Sequence, residues 1–280
     1  MSGSKWKSRL KAAVTYLTLT LLTIFALFPI LWGLSTSFKP TSLIDAYPPE
    51  WIPSQVTFEH YVRVITGSNM LLYYRNSLII LVATTVISVV IASHAAYAAD
   101  RFKFRGKQFV LFAILCTIMV PGIAVLIPLY MFMGFLGLKD TLLAMILIYS
   151  ASLVPTCLWI MQGFFVTVPK SLDEAALIDG CSRLQVFYRV VWPLTWPGLG
   201  AIAIVVCRFT WNEFMIALTM SASDGTRTIP VGLYYFVSGY GIEWGLLMAA
   251  VVMALIPLVL LFIMMERKFV EGLTAGAVKG

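Results

Sequence analysis

Long apolar runs alternate with short polar connections along the whole chain of 280 residues. A hydrocarbon core about 30 Å thick needs about 20 apolar residues in a helix. The runs that meet this length cover residues 13–36, 76–99, 108–134, 141–165, 197–220 and 244–265. Strands of a membrane barrel would be polar at every second position, and these runs are not. The pattern therefore predicts an all-α polytopic membrane protein with six transmembrane helices.

A polar stretch between the fourth and fifth runs, Ser171–Gly198, reads SLDEAALIDGCSRLQVFYRVVWPLTWPG. Pro169 stops the preceding segment. Ser171, with Glu174 three residues later, matches a capping box, in which each side chain bonds the other residue's backbone N–H. This spacing predicts a short helix over Leu172–Asp179.

Two further positions organise the same loop. Gly180 tolerates positive φ at little cost, so it is expected to end the first short helix. Ser182 is expected to cap a second short helix that ends before Pro193. Ala175 and Ala176 give the first helix a low-profile face that a partner surface can approach closely. By spacing alone, the loop also fits an ordinary solvated connection between two membrane helices.

Composition and charge agree with a membrane protein. The chain is 60% hydrophobic and 12% charged, against about 45–50% and about 25% in soluble domains. Cytoplasmic loops carry the excess of Lys and Arg, and fourteen of the twenty basic residues fall on one side of the predicted spans. Both termini and the 171–191 loop are therefore predicted to be cytoplasmic. This bias explains the net charge of +7 without a nucleic-acid partner.

The N-terminal region resembles a secretory signal only superficially. Its apolar stretch, within residues 5–36, exceeds the about 7–15 residues of a signal core, and no small-x-small cleavage site follows it. We interpret it as an uncleaved first span behind a cytoplasmic N-terminus, residues 1–12. The four cysteines show no CxxC spacing, so neither a disulfide framework nor a metal site is predicted.

The letters EAA, DG and P in the polar loop resemble the coupling-loop signature of ABC-importer permeases. The longer stretch AALIDGCSRLQVFYRVVWPLTWPG is similar to the carbohydrate-importer branch, specifically the maltose-type second permease, with Cys181 where that family usually has Ala. FPILWGLSTSFKP, HAAYAADRFKFRGK, WNEF and the ending ERKFVEGLTAGAVKG resemble the same family in the expected order. The ATPase-coupling residues implied by this resemblance are Glu174, Ala175, Ala176, Asp179 and Gly180.

The resemblance implies a type I ABC importer permease fold over residues 13–266. Residues 267–280 then form a cytoplasmic tail, and Glu271–Gly280 is a second candidate contact with the ATPases. The implied function is that of a permease subunit in the bacterial inner membrane, for binding-protein-dependent import of a sugar or oligosaccharide, neutral or anionic. The implied partners are a second permease, two ATPase subunits that carry ATP–Mg, and an extracytoplasmic substrate-binding protein.

Other function classes have less support in the sequence. No GxxxxGK[ST] loop is present, so ATP hydrolysis is expected in a partner and no cofactor in this chain. A membrane enzyme would need a nucleophile with a base, or a metal cluster, but His60 and His94 are the only histidines. An ion-coupled secondary transporter, with Glu213 and His94 as proton relays, remains an alternative. So does an importer of glycerol phosphate or a polyol.

The fifth run contains the most unusual polar residues of the membrane segments. The candidate translocation-path residues are Arg208, Trp211, Asn212 and Glu213. A charge at the bilayer centre costs about 2.5–3.5 kcal/mol, so these residues are expected to face the bundle interior or a water-filled path. An internal salt-bridge and hydrogen-bond network that holds two permeases together would explain them. The alternative is that Arg208 or Asn212 lines the path, where a cation favours an anionic sugar or a glycerol phosphate.

Two local features complete the predictions for the membrane region. Pro121, Gly122 and Pro128 predict that the third span is bent or locally unwound. His94 lies one turn from the end of the second span, and we expect it to be hydrogen-bonded within the bundle.

Overall fold

The computed structural model describes residues 2–238 and 241–277, with the side chains of residues 9–237, 241–260 and 263. Helices dominate this part of the chain, as the apolar runs predict. Two compact units form: one contains Met1–Ser68 and Tyr235–Leu255, and the other contains Asn69–Tyr234 and Ile256–Gly280.

The first unit combines the N-terminal helix with a short hairpin and the start of the last helix. Its elements are α1 (Ser2–Ser37), α2 (Thr41–Ile44), α3 (Glu59–Thr66), β1 (Val237–Ser238), β2 (Gly241–Ile242) and the beginning of α14 (Trp244–Ala277). The antiparallel hairpin pairs Val237 with Ile242.

Buried His60 packs closely against α14 in this unit. Its Nε2 lies 2.9 Å from the carbonyl oxygen of Lys39. A Cβ at Gly245 would lie 2.2 Å from the same nitrogen, so only glycine fits where α14 passes His60. Arg63 adds an ion pair to Glu243, at 2.7 Å.

The second unit contains most of the membrane helices and the polar loop. Its elements are α4 (Met70–Arg101), α5 (Lys107–Ile118), α6 (Gly122–Phe135), α7 (Leu142–Thr167), α8 (Lys170–Ile178), α9 (Arg183–Val186), a π-helix (Phe187–Val191), α10 (Trp192–Leu194), α11 (Trp196–Asn212), α12 (Met215–Met220) and α13 (Ile229–Tyr235). One apolar core contains residues of α4, α7, the π-helix and α11, and also Ala176 of α8. A second core contains residues of α4, α7 and α12.

The predicted spans agree with the helices in part. Within the described residues, Arg9–Ser37, Met70–Arg101 and Leu142–Thr167 are long and apolar enough to cross a membrane, and two bent helix pairs bring the candidate spans to five. The sixth predicted span corresponds to α14, whose described apolar part, Trp244–Leu260, falls below that length. The helical membrane fold is confirmed, although the count of six is approximate.

The predicted third span is broken where proline and glycine lie. α5 and α6 meet at an angle of 97°. Pro121 is extended, with ψ 123°, and a proline also disfavours helical backbone in the residue before it. The prediction of a bent or unwound third span is confirmed.

The predicted fifth span, residues 197–220, is wrong as one continuous helix. α11 ends at Asn212, because Glu213 adopts extended backbone with ψ 123°. A separate helix, α12, begins at Met215. At its other end, α11 meets the run Arg183–Leu194 at 76°. Of the residues predicted for the translocation path, Arg208, Trp211 and Asn212 therefore lie in the last turns of α11, and Glu213 lies in the break itself.

Candidate functional site

The first helix of the polar loop begins earlier than predicted. It covers Lys170–Ile178, its N-cap is Pro169, and no side chain caps it among the described contacts. The prediction of a capping box between Ser171 and Glu174 is wrong. Pro169 has non-helical backbone, with ψ 133°, and the helix starts directly behind it. Ser171 therefore lies inside the first turn, where its side chain is past the capping position.

The end of this helix and the start of the next agree with the sequence. Gly180 has φ +85°, as its place at the turn predicts. Ser182 Oγ accepts from Gln185 N at 3.4 Å, and Ser182 N donates to Gln185 Oε1 at 2.7 Å. A capping box thus exists in the loop, one helix later than predicted.

The second helix does not end before Pro193. The helical run continues through the π-helix and α10 to Leu194. Pro193 lies in α10, directly behind the π-helix, and the helical run ends one residue later, at Leu194.

A buried ion pair fixes α8 to the ends of two long helices. Arg101, the last residue of α4, donates from Nε to Asp173 Oδ2 at 2.9 Å. Its Nη2 donates to the carbonyl oxygen of Val168, which caps α7, at 2.9 Å. Its Nη1 pairs with Asp100. The Tyr97 hydroxyl donates to Asp173 Oδ2 at 3.2 Å, so one guanidinium ties three helices together.

Sequence reasoning missed this pair. In the sequence, Arg101 stands out only as a basic residue within HAAYAADRFKFRGK, and Asp173 only as the residue before the EAA letters. Asp173 is 8% exposed and shares the inward face of α8 with Ala176, which is also 8% exposed. A carboxylate three residues before a buried alanine could have indicated a buried acid, since these positions share a helix face. Nothing local identifies its partner.

An aromatic cluster packs beneath the loop, around the π-helix. Phe187 is 1% exposed and stacks on Trp192, with ring centroids 5.7 Å apart. His94 Nδ1 lies 2.7 Å from the carbonyl oxygen of Val90, to which it donates. Its Nε2 is 2.9 Å from the Tyr188 hydroxyl. The prediction that His94 is hydrogen-bonded within the bundle is confirmed.

The outer face of the loop is exposed and partly apolar. Ile178 is 86% exposed and Leu184 66%. Glu174, Ala175, Asp179 and Gly180 are exposed as well. Ala176 is not, so the prediction that it forms an approachable face with Ala175 is wrong. Asp173 fixes the rotation of α8, and that rotation turns Ala176 into the core.

The break between α11 and α12 is organised by Glu213. Its carboxylate accepts from the Tyr149 hydroxyl at 2.6 Å. It also accepts from the backbone N–H of Ile216 at 2.8 Å and of Ala217 at 3.0 Å. The side chain thereby caps α12. Trp211 is 5% exposed, so it also faces the interior of this unit.

The other two candidate path residues face outward. Arg208 and Asn212 are exposed, and the Asn212 side chain donates to the carbonyl oxygen of Arg208 at 2.8 Å. The salt bridges of the described residues do not include Arg208. These hydrogen bonds of Glu213 all lie within this chain, so the network expected to hold two permeases together stays a prediction. Of the two environments expected for Arg208 and Asn212, bundle interior or water-filled path, their exposure excludes the interior of this unit.

Two remaining predictions concern metals and the tail. Among the described residues, no group of three or more His, Cys, Asp or Glu side chains could hold a metal ion, and the four cysteines are free. The backbone of the tail is helical to Ala277. The side chains of residues 264–277, and residues 278–280 altogether, lie outside the described residues, so the contact predicted for Glu271–Gly280 remains a prediction.

Comparison with known proteins adds independent evidence. The family model of binding-protein-dependent transport system inner membrane components matches residues 88–270. The diacetylchitobiose uptake system permease protein DasC of Streptomyces coelicolor is 36% identical over 94% of this chain and 95% of its own length. The trehalose/maltose transport system permease protein MalG of Thermococcus litoralis is 37% identical over 97% of this chain and 98% of its own.

Solved structures give the same fold. A chain of a bacterial ABC transporter involved in the import of the acidic polysaccharide alginate superposes with a TM-score of 0.82 at 23% identity, over 93% of this chain and 97% of that one. The fold is that of an ABC importer permease. Because the family model matches more than half of the chain and these relatives align over nearly all of it, this protein is a member of the family of binding-protein-dependent transport system inner membrane components.

Proposed function

We propose that this chain is a permease subunit of an ATP-driven importer that takes up a sugar or oligosaccharide from an extracytoplasmic binding protein. One observation carries the coupling role. An exposed helix, α8, is held from behind by the buried pair of Arg101 and Asp173. When a partner displaces a helix held in this way, the displacement is transmitted to α4 and α7, because α8 cannot move independently of them.

The exposed side of α8 supports a protein partner. Ile178 is 86% exposed and Leu184 66%, and the polar residues Glu174 and Asp179 of the same loop are exposed as well. An apolar side chain rimmed by polar ones is typical of a protein contact. The partner we assign to this surface is an ATPase subunit, since this chain has no phosphate-binding loop of its own.

The orientation and the other partners follow from the same proposal. The excess of Lys and Arg places the 171–191 loop and both termini on the cytoplasmic side. Two ATPase subunits then bind ATP–Mg on that side, and a second permease forms the other half of the path. Several relatives are named as permeases for sugars, among them diacetylchitobiose, trehalose and maltose, and these names support a sugar as the substrate.

The test is co-purification after mild solubilisation of the native membrane. We expect an ATPase, a second permease and a binding protein with the tagged chain, and the binding protein can then be screened for its sugar. Ile178→Asp should abolish recovery of the ATPase. The matched control is Val56→Asp, since Val56 is 63% exposed but lies on the predicted outer side.

Two results would overturn the proposal. One is an unchanged yield of ATPase with Ile178→Asp. The other is uptake that survives vanadate but stops with a protonophore, because such uptake identifies an ion-coupled secondary transporter.

A further inference from the structure

Arg208 lies at the middle of the predicted fifth span, residues 197–220. It is twelve residues into α11, which begins at Trp196, and a helix rises about 1.5 Å per residue, so it lies about 18 Å from that end. This distance is more than half of a hydrocarbon core about 30 Å thick. The helix ends one turn later, at Asn212.

The side chain of Arg208 points out of its own unit. The buried face of α11 carries Val206, Cys207, Thr210 and Trp211, whereas Arg208 and Asn212 are exposed on the other face. Glu213 is the acidic residue nearest in sequence, but its carboxylate is occupied by Tyr149 and by two N–H groups of α12. Arg208 thus has no ion pair among the described residues.

Lipid is a poor environment for this face. An arginine at the bilayer centre costs about 2.5–3.5 kcal/mol by insertion measurements, and such residues face water-filled cavities or other protein. Irregular backbone at membrane depth occurs where it is buried in protein or lines a water-filled cavity, and Asn212, next to the helix break, is exposed. Discontinuous helices in other transporters place their substrate at such breaks.

We propose that Arg208, together with Asn212 one turn away, forms an anion-binding site on the translocation path, and that the imported sugar carries a carboxylate, sulfonate or phosphate group. The planar guanidinium donates two parallel hydrogen bonds to such a group. Asn212 keeps its side-chain oxygen for a sugar hydroxyl, since its amide nitrogen donates to the carbonyl oxygen of Arg208. This inference rests on the proposed function for the path itself.

The test measures binding to the purified complex without ATP and without the binding protein. The probes are digalacturonate and its neutral counterpart, galactobiose. We expect digalacturonate to bind at least about tenfold more tightly than galactobiose, because one or two charge-assisted hydrogen bonds contribute a difference of this size. Arg208→Gln should abolish this difference without changing galactobiose binding, and Arg208→Lys should keep part of it. The matched control is Arg75→Gln, which removes the same charge from another exposed arginine.

Three results would overturn the anion site. The first is equal binding of the two probes, and the second is a preference that survives in Arg208→Gln. The third is loss of the second permease from purified Arg208→Gln, because Arg208 would then pair with an acid of that subunit. If instead no ATPase co-purifies with the wild-type chain, the proposed function fails. The anion site is still decided by the binding data alone.

Discussion

Replacement of Arg101 by methionine is the most direct perturbation of the coupling loop. Methionine keeps much of the side-chain volume but removes every hydrogen bond of the guanidinium. Three acceptors on different segments then lose a donor: Asp173 of α8, Asp100 of α4 and the carbonyl oxygen of Val168. We expect α8 to detach from the ends of α4 and α7 while the membrane helices stay folded.

The magnitude follows from burial. The side chain of Arg101 is 5% exposed and that of Asp173 12%, so solvent screens the pair little. In the variant, Asp173 keeps one donor, the Tyr97 hydroxyl at 3.2 Å, while its Oδ1 has no described partner. Removal of one member of a buried ion pair costs about 3–5 kcal/mol. At about 1.4 kcal/mol per factor of ten, local opening of α8 should become about 140- to 4,000-fold more frequent.

Hydrogen exchange of the α8 backbone amides in the assembled complex measures this opening directly. Local unfolding is read segment by segment, so α8 can be compared with α7 in the same sample. Uptake per ATP hydrolysed is the functional readout, and we expect it to fall. Arg101→Lys should give rates of α8 exchange and values of uptake per ATP between those of wild type and Arg101→Met, because lysine keeps the charge but cannot contact all three acceptors at once.

Arg105→Met is the matched control. Arg105 follows the same helix, is exposed and carries the same charge, so its loss should leave α8 protection and uptake unchanged. Unchanged exchange of α8 in Arg101→Met would refute the claim that the ion pair holds the helix. Faster exchange with unchanged uptake per ATP would refute the claim that a fixed α8 is needed for coupling.

Three further outcomes are expected. Gly180→Ala should destabilise the turn after α8 by about 1–2 kcal/mol. The cause is backbone strain alone, since φ is +85° and no atom lies within 4 Å of the new Cβ. Uptake per ATP should fall less for Gly180→Asn than for Gly180→Ala, because asparagine tolerates this φ better. Tyr149→Phe should lower the free energy of unfolding of the complex by about 1–3 kcal/mol, because the half-buried carboxylate of Glu213 loses a donor, and an unchanged melting temperature would contradict that. Hydrogen bonding, chiefly from the Thr226 hydroxyl, lowers the pKa of Asp140 to about 2 from 3.8. The stabilisation from this carboxylate is therefore complete above pH 3.8 and is lost as the pH falls through about 2. The difference in melting temperature between wild type and Asp140→Asn should shrink only between these two pH values.

The features that the sequence predicts well are the local ones. Apolar runs of span length, the break at Pro121 and the positive φ of Gly180 each depend on a few adjacent residues. The capping box at Ser171 failed for a local reason too, since Pro169 sets the helix start and shifts the serine past the capping position. Family resemblance located the polar loop correctly, but it did not show which way α8 faces.

The features that the sequence did not predict depend on distant partners. Arg101 and Asp173 are 72 residues apart, and Tyr149 and Glu213 are 64 apart. The break after Asn212 contains neither proline nor glycine, so periodicity extends the fifth span straight through it. Only the folded chain shows that the Glu213 carboxylate replaces the missing helical bonds by capping α12.

The two candidate sites belong to one packed body. Ala176 of α8, Phe187 of the π-helix, and Ile202 and Val206 of α11 are buried in the same apolar core. Such cores are close-packed and do not deform continuously, so a displacement of α8 is carried into α11 as a shift of the whole group. Arg208 lies two residues beyond Val206 on α11, on its exposed face. A push on the exposed face of α8 therefore moves the position of the proposed anion site, which is the mechanical requirement for coupling ATP hydrolysis to substrate release.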